Sequence, residues 1–232
     1  MRYKKNISFS IYLILLIVST NLYSMGLRSF VALPIEKNGT IVRLTYAHTK
    51  YANTNTLNAN VAYGISSYQT LFAGSDRQGD ISVLYRHIVW QKDTFSGTKR
   101  LGLLGGAVFP TDEKRDGAFQ AGFVYTYFKN KNELDINMLY QKGLQKRLNS
   151  GRYDISWQHR LFPAKRPLWG LSQEINSVLE FNGRYKQGNK ITHQVTLGIQ
   201  SIHKIWVLEG GIVKDMNNKK ELQYILSVRI HF

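Results

Sequence analysis

From Thr40 onward, apolar residues recur at every second position in short runs separated by polar, turn-forming clusters. Successive side chains of a strand point to opposite faces, so a period of two predicts β-strands with one greasy and one wet face. Val42, Leu44 and Tyr46 alternate with Arg43, Thr45 and Ala47; Leu57, Ala59, Val61, Tyr63 and Ile65 alternate with Asn58, Asn60, Ala62, Gly64 and Ser66. A weaker piece spans 68–73. Ile81, Val83, Tyr85 and Val89 share a face with His87. Residues 101–109 are Gly-rich and apolar on both faces, which leaves their orientation open, and Phe119, Ala121, Phe123, Tyr125 and Tyr127 oppose Gln120, Gly122 and Thr126.

The second half alternates more cleanly. Leu134, Ile136, Met138 and Tyr140 oppose Glu133, Asp135, Asn137 and Gln141; Tyr153, Ile155, Trp157 and Leu161 oppose Arg152, Asp154, Ser156, Gln158 and Arg160. Ile175, Leu179 and Phe181 oppose Glu174, Asn176, Glu180, Asn182 and Arg184. Ile191, Val195, Leu197 and Ile199 oppose Thr192, Gln194, Thr196 and Gln200, and Trp206, Leu208 and Ile212 oppose Glu209. The clusters SDRQGD, PTDEKRDG, KNKN, LNSG, KQGN and DMNNKK supply turns between runs. With the final run the pattern predicts twelve strands, the one near Tyr68 being the weakest.

The final run ends the chain on an aromatic. Counting back from Phe232, positions Ile230, Val228, Leu226, Tyr224 and Leu222 are apolar, and of the residues between them only Ile225 is not polar. This resembles the closing strand of bacterial outer-membrane β-barrels. There the terminal Phe and the alternating apolar residues form the signal read by the barrel-assembly machinery, which implies Tyr224, Leu226, Val228, Ile230 and Phe232 for that role here.

Alternation alone does not say which face is inside. In a soluble sandwich the apolar face turns inward, whereas in a membrane barrel it meets lipid and the charged face lines the lumen. Residues 1–24 favour the barrel. They carry Arg2, Lys4 and Lys5, then the apolar run IYLILLIV, then small and polar residues, the order of a secretory signal peptide. That run is too short to span a bilayer as a helix. Cleavage is expected after Ser24 or Gly26, leaving 25–232 as one β domain. Tyr46, Tyr63, Tyr140, Tyr153 and Tyr185 near strand ends suit an interfacial girdle. The expected fold is therefore all-β, a transmembrane antiparallel up-and-down barrel of about 12 strands in the outer membrane of a Gram-negative envelope. An even strand count returns both ends to one side.

Composition narrows the chemistry. The chain has no Cys, which excludes disulfides and thiolate metal sites, and its 232 residues suit one domain. The formal charge of +16 raises a nucleic-acid reading. Nucleic-acid binders gather charge on one face beside stacking aromatics. Here the excess bases fall in turns (Lys129, Lys131, Lys142, Lys146, Arg147, Lys165, Arg166, Lys186, Lys190, Lys214, Lys219 and Lys220) while the aromatics belong to strand faces. Basic rims suit lipopolysaccharide phosphates and interfacial anchoring, so lipid is the expected partner, nucleic acid is not, and a monomer is expected.

A lipid-modifying enzyme would need a nucleophile beside a base. Ser156 and His159 lie three apart in a strand and face opposite ways; Ser201 and His203 share a face without an acidic companion. No metal-ligand spacing or phosphate loop occurs, so no catalytic residue, metal or cofactor is expected. The charged positions opposite the apolar face are more telling. They are Arg43, Arg86, Glu133, Asp135, Arg152, Asp154, Arg160, Glu174, Glu180, Arg184, Glu209 and Arg229, six bases and six acids. Two readings stand: a polar pore for small solutes, or a lumen packed by cross-strand salt bridges that does not conduct. A lipid-modifying enzyme is the more remote third.

Residues 79–117 add a resemblance. Gly79-Asp80 opens a strand that continues through Tyr85-Arg86, and the Gly/Leu strand after it ends in Pro110-Thr111-Asp112. This resembles the outer-membrane proteins of the MetA-pathway phenol-degradation family, in which a Gly-Asp strand precedes a Gly/Leu strand capped by Pro-Thr-Gly. Asp112 departs from that Gly, and Tyr85-Arg86 stands where the family has Lys-Tyr. The resemblance implies an outer-membrane barrel carrying small, hydrophobic or aromatic compounds. Taken on its own chemistry, Pro110-Thr111-Asp112 is a turn.

Overall fold

The computed structural model describes residues 27–33, 35–75, 80–95, 97–165, 173–203, 205–217 and 221–232. The expected leader, 1–24, lies outside them. Twelve strands follow one another: β1 (Thr40–Thr49), β2 (Thr54–Ser66), β3 (Gln69–Ser75), β4 (Ile81–Thr94), β5 (Gly97–Phe109), β6 (Ala118–Lys129), β7 (Asn132–Gly143), β8 (Ser150–Lys165), β9 (Gln173–Lys186), β10 (Thr192–His203), β11 (Trp206–Asp215) and β12 (Leu222–His231). Each pairs antiparallel with its sequence neighbours, and β12 returns to β1 to close the barrel. At the seam Ile41 faces His231 and Thr49 faces Gln223. Phe232 exchanges both main-chain hydrogen bonds with Thr40, so the last residue completes the ladder. Closure leaves no edge strand among the described residues, although the short β3 leaves 54–59 of β2 and 89–94 of β4 paired on one side only.

The two ends of the barrel differ in their connections. At the end where the chain termini meet, four of the five links are two residues long: 67–68, 95–96, 130–131 and 204–205. Asn130 takes the left-handed conformation that such a tight reversal needs (φ 55). At the other end the links are longer, up to 110–117.

The faces are inverted relative to a soluble protein. Leu226 (62% exposed), Leu197 (60%), Ile199, Leu57, Phe119, Trp157 and Tyr140 point outward, while Glu180, Asp135, Asp154, Arg229 and Gln200 inside are fully buried. The only face large enough to hide charge is the interior, and the only face left for the aliphatic and aromatic side chains is the outside. The apolar exterior carries aromatic pairs near the strand ends, including His203 stacked on Trp206 at 4.9 Å and Phe181 on His193 at 5.8 Å.

Three details refine the strand pattern. The weak segment near Tyr68 is the seven-residue β3, starting at Gln69. Ile225, the break in the alternation of β12, points inward against Ala47 and Val213 in a small apolar cluster. The two-faced stretch 101–109 turns Leu104 and Val108 inward and Leu103 and Phe109 outward. Its inner face belongs to a larger cluster with Leu84, Ile88, Val124, Leu139 and Ala32.

Candidate functional site

Strand pairing sets the inward residues in rows. Asp135 of β7 lies opposite Ser156 of β8, which lies opposite Glu180 of β9, which lies opposite Thr196 of β10. The next row runs Asn137, Asp154, Asn182, Gln194. Five of the six acids singled out by the alternation lie on β7–β9 together with Arg152, Arg160 and Arg184, whereas Glu209, Arg229, Arg43 and Arg86 come from β11, β12, β1 and β4.

Several of the twelve charged residues singled out by the alternation meet one another. Glu209 takes Arg43 on one oxygen at 2.6 Å and Arg229 on the other at 2.9 Å. Arg184 pairs with Asp154 at 2.6 Å, and Arg160 with Glu174 at 2.9 Å. Asp135 accepts from Thr126 at 2.5 Å and from Gln158 at 3.1 Å, with Glu133 buried two residues away on the same face.

Arg86, Arg152 and Glu180 instead meet a segment that strand reading passed over. Residues 27–33 run across the interior, and the wall grips them mainly through their backbone. The Leu27 carbonyl accepts from Arg43, the Phe30 carbonyl from Asn137 at 3.2 Å, the Val31 carbonyl from Arg86, and the Leu33 carbonyl from Arg86 at 2.8 Å. The Arg28 amide donates to Glu180 at 3.2 Å, and the Ala32 amide to Thr126 at 2.8 Å. The same Thr126 hydroxyl donates onward to Asp135.

Side chains fill the remaining space. The Phe30 ring meets Phe72 edge-on at 5.5 Å, and the Arg152 guanidinium lies over it at 4.6 Å. Leu27 lies against Gly198 and Gly211, where a Cβ would stand 2.1 Å and 2.9 Å from its Cδ1. Arg28 reaches Gln194 at 2.6 Å and Ser29 reaches Glu180 at 3.3 Å. Leu27, Ser29, Val31, Ala32 and Leu33 are all buried.

A second charged centre joins the long connections. Asp80, fully buried, holds Arg115 at 2.9 Å and Arg147 at 2.8 Å and accepts from the Thr111 amide at 3.4 Å. The Gly-Asp and Pro-Thr-Asp motifs thus touch through Asp80, and Arg147, counted from the sequence among the rim bases, is ion-paired to it.

The serine–histidine candidates separate. Ser156 is buried in the lumen, whereas His159 is on the outer face, its Nδ1 2.9 Å from Asn132 Oδ1 beside Trp157. Ser177, opposite His159, turns its hydroxyl to that residue's carbonyl at 3.4 Å. His203 stacks on Trp206.

Fold and interior define a closed twelve-stranded barrel with an apolar exterior and a charged, chain-crossed lumen. A solved structure titled as the NanC porin, in a rhombohedral crystal form, shares this fold with a TM-score of 0.52 at 11% identity, covering 82% of this chain and 98% of that one. No family model and no curated protein matches the chain.

Proposed function

We propose that this chain is an outer-membrane channel for small solutes, exported by a leader at 1–24 and inserted by the barrel-assembly machinery through Tyr224, Leu226, Val228, Ile230 and Phe232. The inversion of faces carries the reading: a closed barrel with charge inside and a band of Leu, Ile, Phe, Tyr and Trp outside suits lipid around it and water within it. The likeness to a porin barrel agrees with it at the level of fold. The basic connections at the barrel's two ends suit lipopolysaccharide phosphates and interfacial anchoring, and a monomer is sufficient for the fold.

A second reading, a packed barrel that does not conduct, is favoured by residues 27–33 and by the ion pairs of Glu209. Asp154 Oδ2 and Glu180 Oε2 are buried with no protein hydrogen bond, so the interior's own side chains do not satisfy all of its acids. Bare carboxylate oxygens are costly unless water or a solute bonds them. The phenol-family resemblance makes aromatic solutes the finer proposal, and the packing of the chain's own Phe30 between Phe72 and Arg152 agrees with it. Fractionation of the wild type with outer membrane, followed by single-channel recording in planar bilayers, tests both readings. Discrete openings support the channel, and silence from folded protein supports the packed barrel. A soluble periplasmic monomer overturns both.

A further inference from the structure

We propose that the lumen wall is a binding site for an extended peptide held through its main chain, and that residues 27–33 are its resident occupant. The proposal rests on the channel reading and deepens it: the solute class becomes a short peptide bearing an aromatic side chain.

The contacts discriminate a peptide from other occupants. Arg43, Asn137 and Arg86 donate to four carbonyls, those of Leu27, Phe30, Val31 and Leu33. Glu180 and Thr126 accept from two amides, those of Arg28 and Ala32. Donors and acceptors are thus both placed to read a backbone, and none of these six bonds depends on the identity of the bound residue. Selectivity comes from side-chain places. One takes an aromatic ring between Phe72 and Arg152, where the guanidinium meets the π-face. Another, against Gly198 and Gly211, is open because those positions lack a Cβ. Leu84, Ile88, Leu104, Val124 and Leu139 supply an apolar floor under Phe30 and Ala32. A sugar or inorganic ion would use few of these features, whereas a peptide uses all of them.

Such a site is occupied in cis at the high effective concentration of a tethered segment. Binding in trans is therefore measured with the segment removed. The full chain lacking 27–33 is refolded in detergent and titrated with the fluorescent peptide Leu-Arg-Ser-Phe-Val-Ala-Leu, and the same protein is recorded in planar bilayers. The peptide is expected to bind and to block the current. Replacing its Phe by Ala, or N-methylating its Ala amide, is expected to weaken binding by about tenfold or more, since the first removes the ring held by Phe72 and Arg152 and the second the amide that meets Thr126. If the deletion prevents folding, the variant Phe30→Ala/Ala32→Pro takes its place, removing the ring and the amide that meets Thr126.

The outcomes separate the two readings. Binding without current leaves the peptide site standing and sinks the channel. Current without binding leaves the channel and overturns the peptide site. Equal binding of the unmodified, Ala-substituted and N-methylated peptides also overturns it, because then neither the backbone nor the ring is being read.

Discussion

Arg229 Nη2 lies 2.9 Å from Glu209 Oε1, and neither side chain has any exposure. Glu209 also holds Arg43 through its other oxygen, and Gln200 donates to the first at 3.1 Å. One carboxylate thus compensates two guanidinium groups drawn from β12 and β1. Removing it leaves both without their acid. Glu209→Ala is expected to destabilise the barrel by about 3–5 kcal/mol, the usual effect of taking one partner from a buried ion pair. Urea unfolding in lipid vesicles, followed by tryptophan fluorescence, measures this. An unchanged midpoint would mean that lumen water solvates the arginines freely.

Neighbouring residues of β9 separate the two faces. Leu179 points outward near the middle of the strand, and Glu180 is buried inside. In the lipid reading, Leu179→Arg places a charge near the bilayer midplane and is expected to cost about 2–4 kcal/mol of folding stability in vesicles. Glu180→Arg acts differently. It removes the acceptor for the Arg28 amide and the Ser29 hydroxyl and sets a base beside Arg28. It is expected to release residues 27–33 and raise conductance while the barrel stays folded. Equal destabilisation by the two variants, without a change in current, would contradict this assignment of faces.

Alternation made the barrel legible because a strand's period is short and local, so twelve runs, and the faces of all but 68–73 and 101–109, could be read from neighbouring residues. Partners brought together by closure of the barrel are not local. Arg43 finds Glu209 and Arg28 finds Gln194 at a separation of 166 residues each, set by strand number and tilt rather than by any motif. Residues 27–33 escaped because a segment that crosses a lumen has no ladder to alternate against. A trace of them was present all the same. Leu104 and Val108 made 101–109 apolar on both faces, and Leu84 and Ile88 broke the polar face of β4. An inward apolar patch in an otherwise charged lumen signals an apolar occupant, here Phe30 and Ala32. Asp80 was seen only as part of a motif, since its hold on Arg115 and Arg147 needs three connections in contact.

Those connections give a third prediction. Asp80→Asn keeps the hydrogen-bonding shape but removes the charge facing Arg115 and Arg147. Charge-assisted bonds are worth about 1.5–3 kcal/mol, so local opening of 110–117 and 144–149 should rise by about tenfold or more. Trypsin cleavage after Lys114, Arg115, Lys146 and Arg147 reads this directly. Global unfolding should change little, because the strands do not depend on Asp80. Unaltered cleavage would show that the loops are held by other contacts.

The last prediction concerns the end of the chain. Phe232 exchanges two main-chain bonds with Thr40, and Tyr224, Leu226, Val228 and Ile230 line the outer face of β12. Replacing Phe232 by Asp leaves the main-chain bonds available, so the closed barrel should still form from urea in detergent or thin lipid vesicles. In cells the expectation differs, since insertion depends on recognition of an apolar terminal strand. Phe232→Asp is expected to be synthesised and exported yet to fall well below wild-type levels in the outer membrane, accumulating with periplasmic chaperones or being degraded. Immunoblotting of fractionated cells, alongside refolding of the purified variant, separates the two effects. Failure in both settings would make Phe232 a structural closure residue, and normal levels in the outer membrane would remove the assembly role altogether.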